Sequence, residues 1–70
     1  MKIGESKKLF ETRVFIVRID RTNDKNFPYE IYGIDKLSGN RSGVYGRMRN
    51  YSGAVKAAED LNKELLRNND

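Results

Sequence analysis

Apolar side chains gather along this chain in a few short stretches, and their spacing predicts the elements. The densest is Arg13-Val14-Phe15-Ile16-Val17-Arg18-Ile19, where five of seven residues are β-branched or aromatic. Side chains of that shape suit a pleated, half-buried surface, so the pattern predicts a first strand from about Leu9 to Asp20. Alternation sorts it into two faces. Leu9, Glu11, Arg13, Phe15, Val17 and Ile19 share one, which ends in three large apolar residues and is assigned to the core. Phe10, Thr12, Val14, Ile16, Arg18 and Asp20 share the other. A polar loop follows from Arg21 to Asn26. Pro28 cannot donate to a ladder and holds Phe27 extended, which marks the start of a second strand from Tyr29 to Asp35. Tyr32 and Ile34 line one of its faces, Tyr29 and Ile31 the other. Gly33 in mid-strand points to a bulge or a close backbone approach. Lys36 to Asn40 reads as a hairpin connection, with Gly39 and Asn40 tolerant of positive φ. A third strand runs from Arg41 to Met48.

At Gly53 the period changes. Ala54, Ala58, Leu61 and Leu65 fall at i, i+4, i+7 and i+11, joined by Val55 and Leu66. Lys56, Glu59, Asp60, Lys63 and Arg67 take the opposite side, so the stretch reads as an amphipathic helix. Ser52 is its expected N-cap, and the small Ala54 and Ala58 allow close approach to a sheet. The fold class expected is α+β: a three-stranded antiparallel β-meander packed against one C-terminal α-helix, in the order β-β-β-α. Residues 1–8 are expected as a flexible tail, 9–67 as one domain and 68–70 as a frayed end. One helix covers one sheet face, and the other face has no second layer.

The composition limits the chemistry. The 70 residues include no Cys and no His, which removes disulfides, thiolate metal sites and the usual general base near neutral pH. The serines have no His to activate them, and the carboxylates form no clustered pair. The glycines from Gly39 to Gly46 lead through a strand and lack the phosphate-loop pattern. The expectation is a protein that is not an enzyme and carries no cofactor or metal. The N-terminus shows no apolar signal region, and no run approaches the ~20 apolar residues of a membrane span. A cytoplasmic location away from the membrane is therefore expected.

Charge adds a partner. The net charge is +4 and the pI about 9.6. Residues 1–50 hold 11 Lys and Arg against 6 Asp and Glu, whereas residues 51–70 hold 3 against 4. A basic sheet backed by a nearly neutral helix fits a polyanion. By alternation the uncovered face shows Val14, Ile16, Arg18, Tyr29, Ile31, Arg41, Tyr45 and Arg47. Arginine pairs bidentately with phosphate or guanine, and tyrosine stacks on bases or bonds phosphate. Arg18, Tyr29, Arg41, Tyr45 and Arg47 are thus the candidate nucleic-acid contacts, with Lys36 and Arg49 on phosphates and DNA preferred over RNA. A second reading uses the same face for protein: Val14, Ile16 and Ile31 together would form an apolar patch. Such a patch serves a homodimer or a partner that the chain modulates or inhibits.

From Tyr29 to Leu66, a strand, a Gly turn, a strand holding Tyr45-Gly46-Arg47, then Tyr51-Ser52 and an Ala-rich helix resemble a known pattern. It is that of the integrase-type three-stranded-sheet DNA-binding domains, the arm-site-binding domains of phage and transposon tyrosine integrases. They are related in fold to the plant ethylene-response-factor domain. The resemblance covers about half of the chain. It implies a sheet that enters the major groove, a helix behind it, and contacts from Arg18, Tyr29, Arg41, Tyr45 and Arg47. It also implies a phage or mobile-element setting. The family's strand-two Trp and its Thr-Lys-Lys-Glu-Ala helix opening have no counterpart here. Gly53-Ala54-Val55-Lys56-Ala57-Ala58 also resembles the last helix of double-stranded-RNA-binding domains, whose first helix is missing here.

Overall fold

The computed structural model describes residues 1–68. The chain folds as an antiparallel sheet backed by one helix, as expected, but the sheet has four strands instead of three. They are β1 (Ser6–Glu11), β2 (Phe15–Arg21), β3 (Tyr29–Asp35) and β4 (Gly46–Met48), in that spatial order, followed by α1 (Tyr51–Asn68).

The additional strand arises because the long apolar run folds back on itself. Thr12 Oγ1 accepts hydrogen bonds from the N–H of Val14 at 3.3 Å and of Phe15 at 3.2 Å. The Thr12 N–H donates to the Phe15 carbonyl at 2.9 Å. A threonine hydroxyl thus does the work usually signalled by Gly or Asn in a tight turn. Arg13 and Val14 sit at a hairpin tip, not inside a strand. The expected tail is corrected in the same way. Gly4, at φ 88°, turns the chain so that its N–H reaches the Arg21 carbonyl at 2.7 Å, and Ser6 to Lys8 are already part of β1. The β1–β2 register shifts between Lys8 and Phe10. That bulge lets both Leu9 and Phe10 pack against the core.

The expected third strand is also shorter than its sequence pattern. Arg41 forms a single bridge to Ile34. Ser42 continues the pairing through its backbone N–H, 2.8 Å from the Gly33 carbonyl, and its hydroxyl, which accepts the Gly33 N–H at 3.0 Å. Regular pairing resumes only at Gly46, opposite Ile31. Of the two connection residues tolerant of positive φ, only Gly39 adopts it, at 74°.

The core lies between the sheet and α1. Phe15, Val17, Ile19 and Ile31 enter it from the sheet, and Ala54, Ala57, Ala58 and Leu61 from the helix. The alanines bring the helix backbone close, and Gly33 extends that approach: a Cβ there would lie 3.4 Å from Leu65 Cδ1. Leu66, expected beside the core, is 46% exposed. Cross-strand partners share a sheet face, so the pairing of Ile19 with Ile31 turns Tyr29 and Ile31 toward the helix. Tyr32 and Ile34 face outward. This corrects the placement of Tyr29 and Ile31 on the uncovered face, a one-residue slip that exchanges every side chain of a strand.

The helix cap also moves. Asn50, not Ser52, closes the first turn: its Oδ1 accepts the Gly53 N–H at 2.8 Å, and its carbonyl accepts the Ala54 N–H at 3.1 Å. Ser52 lies inside α1 and donates to the same Oδ1 at 3.0 Å. Asn50→Ala is expected to cost about 1 kcal/mol, and Ser52→Ala less, in paired urea titrations. Of the frayed end expected over 68–70, Asn68 closes α1 and the last two residues lie outside the described residues.

Candidate nucleic-acid interface

Alternation places Ser6, Lys8 and Glu11 of β1, Ile16, Arg18 and Asp20 of β2, and Glu30, Tyr32 and Ile34 of β3 on the face away from the helix. Arg41, opposite Ile34, and Arg47, opposite Glu30, join them. Three arginines expected at the site, Arg18, Arg41 and Arg47, are therefore brought together on one uncovered surface.

These arginines are held by a polar network that runs across the sheet. The Arg18 Nε donates to Ser6 Oγ at 2.9 Å. The Ser6 and Tyr32 hydroxyls lie 3.4 Å apart, and Tyr32 donates to Asp20 Oδ1 at 2.8 Å. Arg41 Nη1 bonds Asp20 Oδ2 at 3.4 Å, and its Nη2 lies 3.9 Å from Glu30 Oε1. The other oxygen of Glu30 accepts from Arg47 Nε at 3.1 Å. The Arg41 guanidinium sits 3.6 Å from the centre of the Tyr32 ring, a cation–π contact. That lid explains why Tyr32 is only 5% exposed although it faces outward. The side chains of Arg41 and Arg47 remain 46% and 56% exposed. Ion pairs this open are screened and worth little in stability, so an incoming anion can compete with the carboxylates for these cations.

A second cluster lies near the β1–β2 turn. Glu11 contacts Lys8 and Lys36, each at 2.5 Å, and Lys36 also donates to the Thr12 carbonyl at 2.8 Å. The hydrogen bond from Lys36, and then that from Lys8, lowers the Glu11 carboxyl from 4.5 to about 2. A carboxyl depressed on folding stabilises the fold above its unfolded pKa, and that contribution is lost as pH falls through the folded value. Glu11→Gln is therefore expected to lower stability at neutral pH and to flatten the acid limb between pH 4.5 and about 2, converging on the wild type at the low end. Thermal melts at stepped pH check this, and an unaltered acid limb would contradict it. At the other end of the sheet Arg49 stands 5.5 Å from the Phe27 ring. In the neighbouring loop the N–H groups of Phe27 and Asn26 hold the Asp24 carboxyl below its ordinary range, with a smaller contribution from Arg47.

Two of the expected contacts lie elsewhere. Tyr29 packs on the helix side, edge-on to Tyr51 with ring centres 5.9 Å apart. Tyr45 turns toward α1, where partial desolvation, then the Glu64 and Asp60 carboxylates, raise its phenol. The β4 start at Gly46 lies beyond the irregular stretch that redirects this ring. The expected apolar patch of Val14, Ile16 and Ile31 does not form: Ile31 is fully buried, Ile16 is half-buried, and Val14 is at the hairpin tip. Sequence reasoning passed over Lys8, assigned to the tail, and the carboxylates of Asp20 and Glu30. The signal of Asp20 was present, since it alternates in phase with Arg18; that of Glu30 depends on the face of β3, which only the pairing with β2 sets.

A separate cleft of about 560 Å³, lined chiefly by Val14, Phe15, Ile34, Leu37, Leu61 and Leu65, opens beyond Arg41. Among the described residues no group of three or more His, Cys, Asp or Glu could hold a metal ion, and no helix is long and apolar enough to cross a membrane. Fold and face together define a small α+β domain whose uncovered sheet carries an arginine row threaded with carboxylates. Comparison with protein-family models, curated proteins and solved structures yields no match for this chain.

Proposed function

We propose that this chain is a small basic module that binds nucleic acid, and duplex DNA in particular, through the uncovered face of its sheet. The observation that carries the reading is the convergence of Arg18, Arg41 and Arg47 from three parts of the fold onto the one face that α1 leaves bare. Lys8 and Lys36 extend the cationic surface toward the β1–β2 turn, and Arg49 extends it at the far end of β4. Five cations, Lys8, Arg18, Lys36, Arg41 and Arg47, stand against three carboxylates, Glu11, Asp20 and Glu30.

The aromatic residues favour a duplex over a single strand. Single-stranded ligands gain much of their affinity by stacking bases on open rings. Here Tyr32 lies under Arg41, and Tyr29 and Tyr45 are on the helix side. With Tyr32 capped, the arginine forks of this face suit a phosphate backbone. The wide major groove of B-form DNA admits a strand ribbon, whereas the deep, narrow major groove of A-form RNA does not.

The test is fluorescence anisotropy with a labelled duplex of about 20 bp at about 50 and 200 mM salt. Three arginines on phosphates give an expected log–log slope near −2.7. Absence of binding at the lower salt, or an affinity that salt does not change, would overturn the reading.

A further inference from the structure

We infer that Glu30 is an intramolecular latch on this surface, occupying the arginines as a phosphate would and setting the charge density that a ligand must exceed. The inference rests on the nucleic-acid reading and concerns how that same face is controlled. Glu30 is the only carboxylate among the described residues that meets two arginines of the row, Arg47 through Oε2 and Arg41 through Oε1. It lies between them on β3, directly opposite Arg47 in the β3–β4 register. Asp20 completes the hold on Arg41 and anchors Tyr32 from below.

Carboxylate and phosphate oxygens are the same kind of acceptor for a guanidinium. Arg41 Nη1 bonds Asp20 and its Nη2 lies 3.9 Å from Glu30, so a phosphate approaching the Nη1–Nη2 edge of Arg41 competes with both carboxylates. Arg47 is tied through Nε only, and its two Nη atoms make no hydrogen bond or ion pair among the described residues. Arg47 therefore receives a phosphate first, and Arg41 engages only when a second phosphate displaces Glu30. A lone anion cannot supply both contacts, whereas a polyanion can. The latch biases the face toward densely charged polymers and against isolated carboxylates and phosphates.

The experiment compares the wild type, Glu30→Gln and Glu59→Gln with the same duplex and with inorganic phosphate as competitor. Glu30→Gln keeps the side-chain shape and an acceptor, and Glu30→Ala serves as a second variant should the first alter folding. Far-UV circular dichroism confirms the fold of each. Glu59 is exposed on α1, so its substitution makes the same charge change without freeing an arginine. The expected results for Glu30→Gln are duplex binding about tenfold tighter, a salt slope steeper by roughly 0.9 as one further phosphate is engaged, and competition at lower phosphate concentration. Glu59→Gln is expected to leave the slope unchanged. Equal gains in both variants, or weaker binding in Glu30→Gln, would overturn the latch. Failure of the wild type and of Glu30→Gln alike to bind removes the nucleic-acid reading itself, whereas wild-type binding with no gain in Glu30→Gln removes the latch alone.

Discussion

Ile31→Ala is expected to be the most damaging single truncation in the sheet, lowering unfolding free energy by about 2–5 kcal/mol. Ile31 is fully buried, opposite the equally buried Ile19, and it meets the helix over the alanine-rich stretch where backbone replaces bulky side chains. Nothing nearby can collapse into the space: its cross-strand partners are fixed by the ladder, and Ala54 and Ala58 have no further length to extend. For a domain of this size each kcal/mol shifts the melting temperature by about 4–8 °C. A loss near 3 kcal/mol would thus move it by roughly 12–24 °C, a large part of the marginal stability of so small a core. The internal comparison is Ile16→Ala. Ile16 belongs to the same strand pair but to the uncovered face, half in contact with water, so its truncation is expected to cost about 1 kcal/mol or less. Urea titrations of the two variants check the order. If Ile16→Ala proved the more costly, the face assignment of the sheet would be reversed, and the arginine row would then face the helix.

How much of this was legible in the sequence depends on which physical signal each feature carries. The helix was plain because Ala54, Ala58, Leu61 and Leu65 repeat at one period over several turns. The inward set Phe15, Val17 and Ile19 was plain because alternation ends in three bulky residues. The β1–β2 hairpin was hidden because its turn, Thr12-Arg13-Val14, contains no Gly, Asn or Pro. The hydroxyl of Thr12 makes the turn, and a threonine in an apolar run reads as strand. The face of β3 was hidden for a different reason. Both of its faces carry an aromatic and an isoleucine, Tyr29 with Ile31 and Tyr32 with Ile34, so periodicity alone cannot choose between them. Tertiary pairing with Ile19 makes the choice. The candidate site followed the same division. Arg18, Arg41 and Arg47 could be placed by phase, but Tyr45 could not, because regular pairing lapses between Ser42, whose hydroxyl stands in for a backbone group, and Gly46. Asp20 was readable by the same alternation and Glu30 only once the face of β3 was chosen; together they change the surface from a uniformly basic one to a network.

The functional prediction with the largest expected effect is the charge reversal Arg18→Glu with Arg47→Glu. These two arginines are gripped from within, Arg18 by Ser6 through Nε at 2.9 Å and more weakly through Nη2 at 3.5 Å, and Arg47 by Glu30 through Nε at 3.1 Å. Each keeps outward N–H groups for a ligand and has little rotamer freedom left to lose on binding. A charge-assisted hydrogen bond is worth roughly 1.5–3 kcal/mol, so removal of both is expected to weaken duplex binding by about 3–6 kcal/mol, or roughly 10²–10⁴-fold. The salt slope should fall by about 1.8 as two phosphate contacts disappear. Folding should be little affected, because surface ion pairs contribute only about 0–1 kcal/mol each. Lys56→Glu with Lys63→Glu makes an equal change of charge on exposed positions of α1. Its effect must reach the sheet face through solvent, where screening acts over about 8–10 Å, so it is expected to weaken binding only a few-fold with the slope retained. Equal losses in the two double variants would mean that net charge alone attracts the polyanion and that the arginine row has no geometric role.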